Sequence, residues 1–247
     1  RFQGGGELRS QARVANYDRD LRASAIRFAN ATLQPDGAAV TNSTFSDATV
    51  LTRGNNNKIQ DMQAKYVQSD YSHKFNALGF KHEVLGGIDA AHEDFNNFSA
   101  TALTKARTTV GTPNDGAGVD ESLRVISKNR EFTAKGMGVY AQDLVQIAPM
   151  WKLLGGLRWD KFQGDYLAVA ASGNPNQVVN GVTYPNPCYV PANSRLQRDD
   201  SLWSKRMGVL FQPTPYSSYH LSYATSFYTA GDAYQYDPGT SNTDPES

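Results

Sequence analysis

Apolar residues recur at every second position through much of the segment from Tyr66 to Phe227. The sharpest run sets Trp151, Leu153, Gly155, Leu157 and Trp159 against Lys152, Leu154, Gly156, Arg158 and Asp160. Two more runs repeat it. Trp203, Lys205, Met207, Val209 and Phe211 alternate with Ser204, Arg206, Gly208 and Gln212. Tyr219, Leu221, Tyr223, Thr225 and Phe227 alternate with His220, Ser222, Ala224 and Ser226. A period of two predicts β-strands with one apolar face. In each run an aromatic pair eight residues apart brackets an apolar middle. At ~3.3 Å rise and ~40° tilt, that interval covers roughly 20 Å of depth, close to the ~25 Å between the aromatic girdles of a membrane-spanning sheet. A strand facing a protein core has no reason to put aromatics at both ends. Trp151, Trp159, Trp203, Phe211, Tyr219 and Phe227 are therefore expected at lipid interfaces. Arg158, Asp160, Arg206, Gln212 and His220, with Asp89 and Glu93 on an earlier strand, are expected to line a polar interior. Lys205 breaks the apolar face and is expected to snorkel toward an interface.

The links between strands alternate in length. The expected strands are 7–28, 58–73, 80–98, one ending at the Ala148-Pro149-Met150 turn, one from Trp151, and the two runs above. Short links are expected at 74–79, 148–150 and 213–217, long ones at 30–56, 99–132 and 168–200. Loops beyond about 15 residues are uncommon in compact domains. Short links on one rim and long ones on the other predict an all-β, antiparallel, up-and-down transmembrane β-barrel wall. Two strands are less tidy. Met137, Val139, Ala141, Val145 and Ile147 share a face that Asp143 interrupts, and the pattern of 58–73 leaves its orientation open.

Composition narrows the class further. The chain has 247 residues with 24 basic and 24 acidic side chains, so no global basic field draws in nucleic acid. Mean hydropathy is −0.54, and no stretch approaches the roughly 20 apolar residues of a membrane helix. Barrel strands need to be apolar only at alternate positions, so a barrel stays open. The 13 Tyr and 11 Phe suit interfacial girdles. Cys188 is the lone cysteine. It is either a spectator thiol or half of a bridge to a residue outside this stretch. The first residue is not Met and the last residues are Asp244-Pro-Glu-Ser247. The expectation is a piece from the middle of a longer chain.

Other chemistry finds little support. His73, His82, His92 and His220 are scattered, and His82 and His92 on one strand stand roughly 33 Å apart at strand rise. No nucleophile elbow, phosphate loop or zinc spacing is present, and no catalytic or metal-binding residue is assigned. Asp115 to Glu121 lacks calcium-loop spacing. The sequons at Asn30, Asn42 and Asn97 read as chance matches in Asn- and Thr-rich loops. Tyr184, Tyr189, Arg195, Arg198, Tyr228, Tyr234 and Tyr236 are expected in outer loops, as an aromatic and basic mouth. Stacking and charge-assisted hydrogen bonds suit such residues to a flat, anionic, catechol-type ferric chelate.

Several segments resemble the TonB-dependent siderophore receptors of bacterial outer membranes. Gly138-Val-Tyr-Ala-Gln-Asp143, a short turn with Trp151, and Leu154-Gly-Gly-Leu-Arg-Trp-Asp160 are similar to a hairpin common in that family. Leu221-Ser-Tyr-Ala-Thr-Ser-Phe227 followed by Asn242-Thr-Asp-Pro-Glu246 resembles the next part of the same barrel. Leu8-Arg-Ser-Gln-Ala-Arg13 with Tyr17-Asp-Arg19 fits an earlier strand of the catecholate or hydroxamate subgroup. The resemblance implies about seven strands of a 22-stranded barrel, with residues 1–247 wholly barrel. It implies a plug domain and C-terminal strands outside this stretch. It also implies uptake of a ferric siderophore, with iron entering only as the chelate, no resident cofactor and no enzymatic step, driven by TonB through the N-terminal part. Cobalamin, haem or a sugar as cargo is the nearer alternative. A soluble secreted β-sandwich or propeller is the farther one, and it requires the aromatic faces to be buried against a second layer.

Overall fold

The computed structural model describes residues 2, 4–186 and 189–227. Ten strands occur among them: β1 (Glu7–Phe28), β2 (Val50–Ala77), β3 (Phe80–Ala100), β4 (Thr108–Thr109), β5 (Ile126–Ala148), β6 (Trp151–Ala168), β7 (Asn176–Val179), β8 (Val182–Pro185), β9 (Ser194–Thr214) and β10 (Ser217–Ala224). Single turns of 3-10 helix occupy Ala31–Leu33 and Glu121–Leu123. The main sheet is ordered β1-β2-β3-β5-β6-β9-β10, with β4 attached to β2. Sequence neighbours along that path are thus neighbours in space. β5–β6, β6–β9 and β9–β10 pair antiparallel, while β7 and β8 form a ribbon of their own. No helix among the described residues is long and apolar enough to cross a membrane, which leaves crossing by strands untouched.

The strands are longer than the alternation predicts. β2 begins at Val50 rather than 58, β5 at Ile126 rather than 133, and β9 at Ser194 rather than near 201. These extensions are rich in Thr, Asn, Arg and Ser, so no apolar face marks them in the sequence. Backbone pairing needs no such face, and ladder bonds carry the strands onward. With 28 residues, β2 far exceeds the ~9–11 a bilayer requires. The short links shrink to tight turns. Leu78 and Gly79 both take positive φ (51° and 81°), as a type I′ turn requires at its two central positions. Gly79 adopts this freely, whereas Leu78 is strained and 92% exposed. One expected strand end is corrected. β10 stops at Ala224, so Phe227 lies off the ladder. The Thr225 hydroxyl accepts from the Lys205 backbone N–H at 2.9 Å, where a backbone carbonyl would continue the pairing.

The chain divides into two compact units, residues 2–16, 62–95 and 130–227, and residues 17–61 and 96–129. In the first, Phe95, Phe132, Ala134, Tyr166, Ala168 and Val190 form a buried cluster with Met62, Phe162 and Leu196 against it. The cluster residues on β5 and β6 share the face of Arg158, so part of the expected polar lining is apolar here. In the second, the link between β3 and β5 is pinned to β1 and β2. Arg53 bonds Asp115 at 2.8 Å and the carbonyls of Ala106 and Pro113. Asn55 donates to the Leu103 carbonyl, and Arg124 forks onto Asp20 at 2.6 and 2.9 Å. The Arg53 guanidinium, helped by the Ala117 N–H, holds the Asp115 carboxyl below the usual carboxylate range. Hydrogen bonds from Ser122 do the same for Asp120.

Candidate functional site

Cross-strand register sorts the side chains of the first unit onto two faces. On the apolar face, Trp151 pairs with Phe211 and Phe211 with Tyr219. Their rings stack at 4.4 and 6.4 Å. The next rows are Leu153, Val209 and Leu221, then Gly155, Met207 and Tyr223. Above these, Trp159 pairs with Trp203. Trp159 Nε1 donates to Ser201 Oγ at 2.8 Å, one row farther from the turns. No described residue covers this face: Leu221 is 78% and Trp203 62% exposed, and no large side chain among the described residues is fully buried. A two-layer sandwich would bury these side chains against a second sheet, and the described residues supply none. Trp151, Trp159, Trp203, Phe211 and Tyr219 share this face, and Phe227 lies beyond the end of β10.

Asp143, the interruption in the apolar pattern, finds a partner. His82 Nδ1 lies 2.6 Å from its carboxylate, and Phe75 stacks on the His82 ring at 5.2 Å. A charged group on an apolar face is thereby matched and partly covered.

The opposite face carries a hydrogen-bonded wall centred on Arg158. Its two terminal nitrogens donate to the Asp89 oxygens at 2.8 and 3.0 Å. Nε and one terminal nitrogen donate to Asp160 at 2.9 and 2.6 Å. The guanidinium also sits 5.2 Å from the centre of the Tyr140 ring. Tyr140 donates to Asp70, to which Gln68 donates at 3.0 Å, and Tyr66 donates to Glu93. Nearer the turns, Glu83 lies 2.8 Å from Lys74 and 3.8 Å from Lys152. Gly138 makes the centre possible. A Cβ there would collide with the Arg158 guanidinium and meet Asp89 at 2.9 Å. Without a side chain at 138, Arg158 on β6 lies flat across β5 and reaches β3. Glycine inside a strand signals such an approach, and Gly138 is visible in the sequence.

The register puts Arg158, Asp160, Arg206 and His220 on this one face, and Asp89 meets Arg158 there. Sequence reasoning missed Asp70, Gln68 and Tyr66, because the orientation of β2 shows only through its partners, and it gave Tyr140 of β5 no role. The wall holds fixed, hydrogen-bonded charge with carboxylates in excess of cations, suited to lining a wet passage. Among the described residues no group of three or more His, Cys, Asp and Glu gathers as metal ligands.

The expected mouth residues scatter. Tyr184 lies exposed on β8, opposite Gln177. Tyr189 donates its backbone N–H to the Asn186 carbonyl, beside the Ser172–Val190 bridge. Arg195 and Arg198 are not loop residues, because β9 already runs through both. Their parity sends them to opposite faces. Arg195 is on the tryptophan face with Asp165, while Arg198 is buried on the other and bonded to Asp200. Tyr228, Tyr234 and Tyr236, like Cys188, lie outside the described residues.

An antiparallel meander with an uncovered, aromatic-banded apolar face and a charged, hydrogen-bonded reverse defines a membrane-spanning β-barrel wall. A family profile described as TonB dependent receptor-like, beta-barrel, matches residues 2–247. The chain belongs to that family, whose members are outer-membrane receptors of Gram-negative bacteria and not enzymes. A probable TonB-dependent siderophore receptor, PiuA of Acinetobacter baumannii, is 29% identical over 96 residues, 39% of this chain and 11% of that protein. The crystal structure of the ferric-catecholate import receptor Fiu of E. coli K12, closed form, superposes with a TM-score of 0.69 at 18% identity. It covers 93% of this chain and 32% of that one. The siderophore receptor PiuA superposes with a TM-score of 0.61 at 20% identity, covering 90% and 30%. The chain thus spans about a third of the solved receptors it matches.

Proposed function

We propose that the protein containing this chain imports a ferric siderophore across the outer membrane, energised through TonB. The family match over residues 2–247 carries this reading. The likeness to receptors for ferric catecholates and siderophores supports it. Iron is cargo, arriving and leaving as its chelate. Capture falls to the loop-side segments that bear Tyr184 and Tyr189, where stacking suits a flat aromatic ligand. The Arg158 wall faces the lumen and the plug. Its one guanidinium is held by two carboxylates, so it presents a polar surface without a deep trap for an anion.

In the same reading the apolar face meets hydrocarbon. Trp151, Phe211 and Tyr219 mark one interface, and Trp159 and Trp203 the other. Growth of the parent bacterium on individual ferric siderophores under iron limitation, with and without the full-length gene, tests the cargo. Loss of use of one chelate, with a matching loss of radioactive iron uptake, is expected; unchanged use of every chelate overturns it. For the bilayer placement, bromine-labelled lipid should quench tryptophan emission of the full-length receptor. Quenching should weaken when Trp159 and Trp203 are replaced by Leu and the label sits at the loop-side interface.

A further inference from the structure

The strand glycines of this sheet are of two kinds. On the reverse face the chain itself uses them: a Cβ at Gly138 would collide with Arg158, and one at Gly87 would meet the Tyr140 ring at 2.6 Å. On the apolar face it does not. A Cβ at Gly155 would meet nothing within 4 Å, and one at Gly86 only the Tyr140 carbonyl at 3.5 Å and Ala141 Cβ at 4.0 Å, both ordinary contacts. Neither residue has a positive φ. Glycine inside a strand weakens it relative to alanine, and it marks a place where another backbone or a ligand comes close. Since nothing in the chain comes close at Gly155, the approach is from outside. Gly86, Ala141 and Gly155 floor a groove of about 720 Å³ that Val84, Leu157 and Met207 also line.

The charged lining consists of Asp143, Lys205 and Arg206. Arg206 belongs to the reverse face by parity, and Lys205 stands two residues nearer the loops, beside the Trp203 level. Asp143 is the group at the centre. It pairs with Gly155, four residues from Trp151 and four from Trp159, so it lies midway between the aromatic rows. Its side chain is 35% exposed and that of His82, its partner, 15%. An ionisable pair left open at mid-depth is costly against hydrocarbon, and such groups in membranes are met by protein.

The occupant must approach the glycine floor, be apolar around it and meet this pair. Acyl chains do the first two and offer nothing to Asp143. A second copy of the same face does all three. A two-fold axis along the membrane normal keeps each residue at its own depth and reverses its lateral direction. The His82–Asp143 dipole, which runs along the face from β3 to β5, then lies level with its copy and antiparallel to it, side by side, which is the attractive arrangement. Leu157 and Met207, both more than half exposed, supply the ridges beside the groove. We propose that this face makes a two-fold contact with a second copy of the receptor in the plane of the membrane, centred on Gly155 and Asp143. The contact rests on the bilayer placement given above and is independent of the cargo.

The test reconstitutes the full-length receptor, labelled with a fluorophore on an added terminal tag, into phosphatidylcholine vesicles over a range of lipid dilutions. Protease access to the loops checks that insertion is in one orientation. Single-molecule photobleaching counts the copies in each spot, and two-step spots that give way to one-step spots on dilution are expected. Gly155→Leu fills the groove from a position with open space above it, and should raise the protein density needed for half-pairing about tenfold. His82→Phe/Asp143→Leu keeps the face apolar but removes the dipole, and should raise that density several-fold. Leu221→Val, on the same face but outside the groove, should leave it unchanged. Heat-modifiable gel migration checks that each variant is folded. One-step spots at every density overturn the contact and leave the groove to acyl chains. Pairs that Gly155→Leu leaves intact place the contact elsewhere and overturn it too. Bromolipid quenching of Trp159 and Trp203 in the same vesicles at high dilution separates the failures. Quenched tryptophans in single copies at every density sink only the contact, and unquenched tryptophans sink the bilayer placement itself.

Discussion

The two faces of the β5–β6–β9 ladder are built from the same strands, yet they solve opposite problems. One leaves Leu157, Trp203 and Met207 half or more exposed with nothing packed on them. The other ties Arg158 to Asp89 and Asp160 with five contacts of 2.6 to 3.0 Å. In water the first arrangement would be a liability, because large uncovered apolar patches drive association. Against hydrocarbon it is the stable choice, and the second becomes the face that must satisfy its polar groups internally or with water. The contrast shows that solvent identity is written side by side along each strand, one residue in two.

A charge placed on each face would break the comparison most forcefully. Met207→Arg, midway between the aromatic rows, should cost about 2–4 kcal/mol of folding free energy in a bilayer. Leu154→Arg on the reverse should cost well under about 1 kcal/mol by the same urea titration in vesicles, since lumen positions tolerate charge. Equal costs would mean that both faces meet the same medium. Next in size is Arg158→Ala, which leaves Asp89 and Asp160 facing each other without their cation and should cost about 1.5–3 kcal/mol. Arg158→Lys should recover only part of this, because an ammonium cannot fork onto two carboxylates.

The exception on the apolar face sharpens the rule. His82→Phe/Asp143→Leu removes a matched polar pair from lipid and should be neutral or stabilising by up to about 1 kcal/mol, whereas Asp143→Leu alone strands His82 and destabilises. The smallest effect lies off this ladder, at the Arg53–Asp115 pair of the second unit. Its carboxyl has a lowered folded-state pKa. The pair's contribution is therefore present above the ordinary carboxylate range and fades as pH falls through the lowered value. Amide exchange at Ala117, whose N–H donates to Asp115, should accelerate over that acid range and be pH-insensitive, beyond intrinsic chemistry, in Asp115→Asn.

Much of this was legible in local pattern. β1 runs over Glu7–Phe28 as expected of a long, Arg-rich extended segment, and the aromatics of Trp151/Phe211/Tyr219 and Trp159/Trp203 line up in two cross-strand rows. The polar face was legible too, except on β2, whose Asp70, Gln68 and Tyr66 gain meaning only from Tyr140 and Glu93 across the sheet. Arg195 and Arg198 show the limit most clearly. Both look like loop cations in a Pro- and Asn-rich neighbourhood, but β9 has begun at Ser194 and a three-residue offset sends them to opposite faces.

By itself, the sequence determined which residues share a face, because side-chain direction in an extended chain alternates whatever the partner strand is. It likewise marked the tight turns and the long links, through Pro, Gly and Asn. Only the tertiary structure decided how far each strand continues past its apolar stretch, because ladder hydrogen bonds need a neighbouring backbone and no particular side chain. Register also came from the assembled sheet. Gly138 lets Arg158 cross β5 to Asp89, and Asp143 becomes tolerable beside His82, only when three strands are aligned at once.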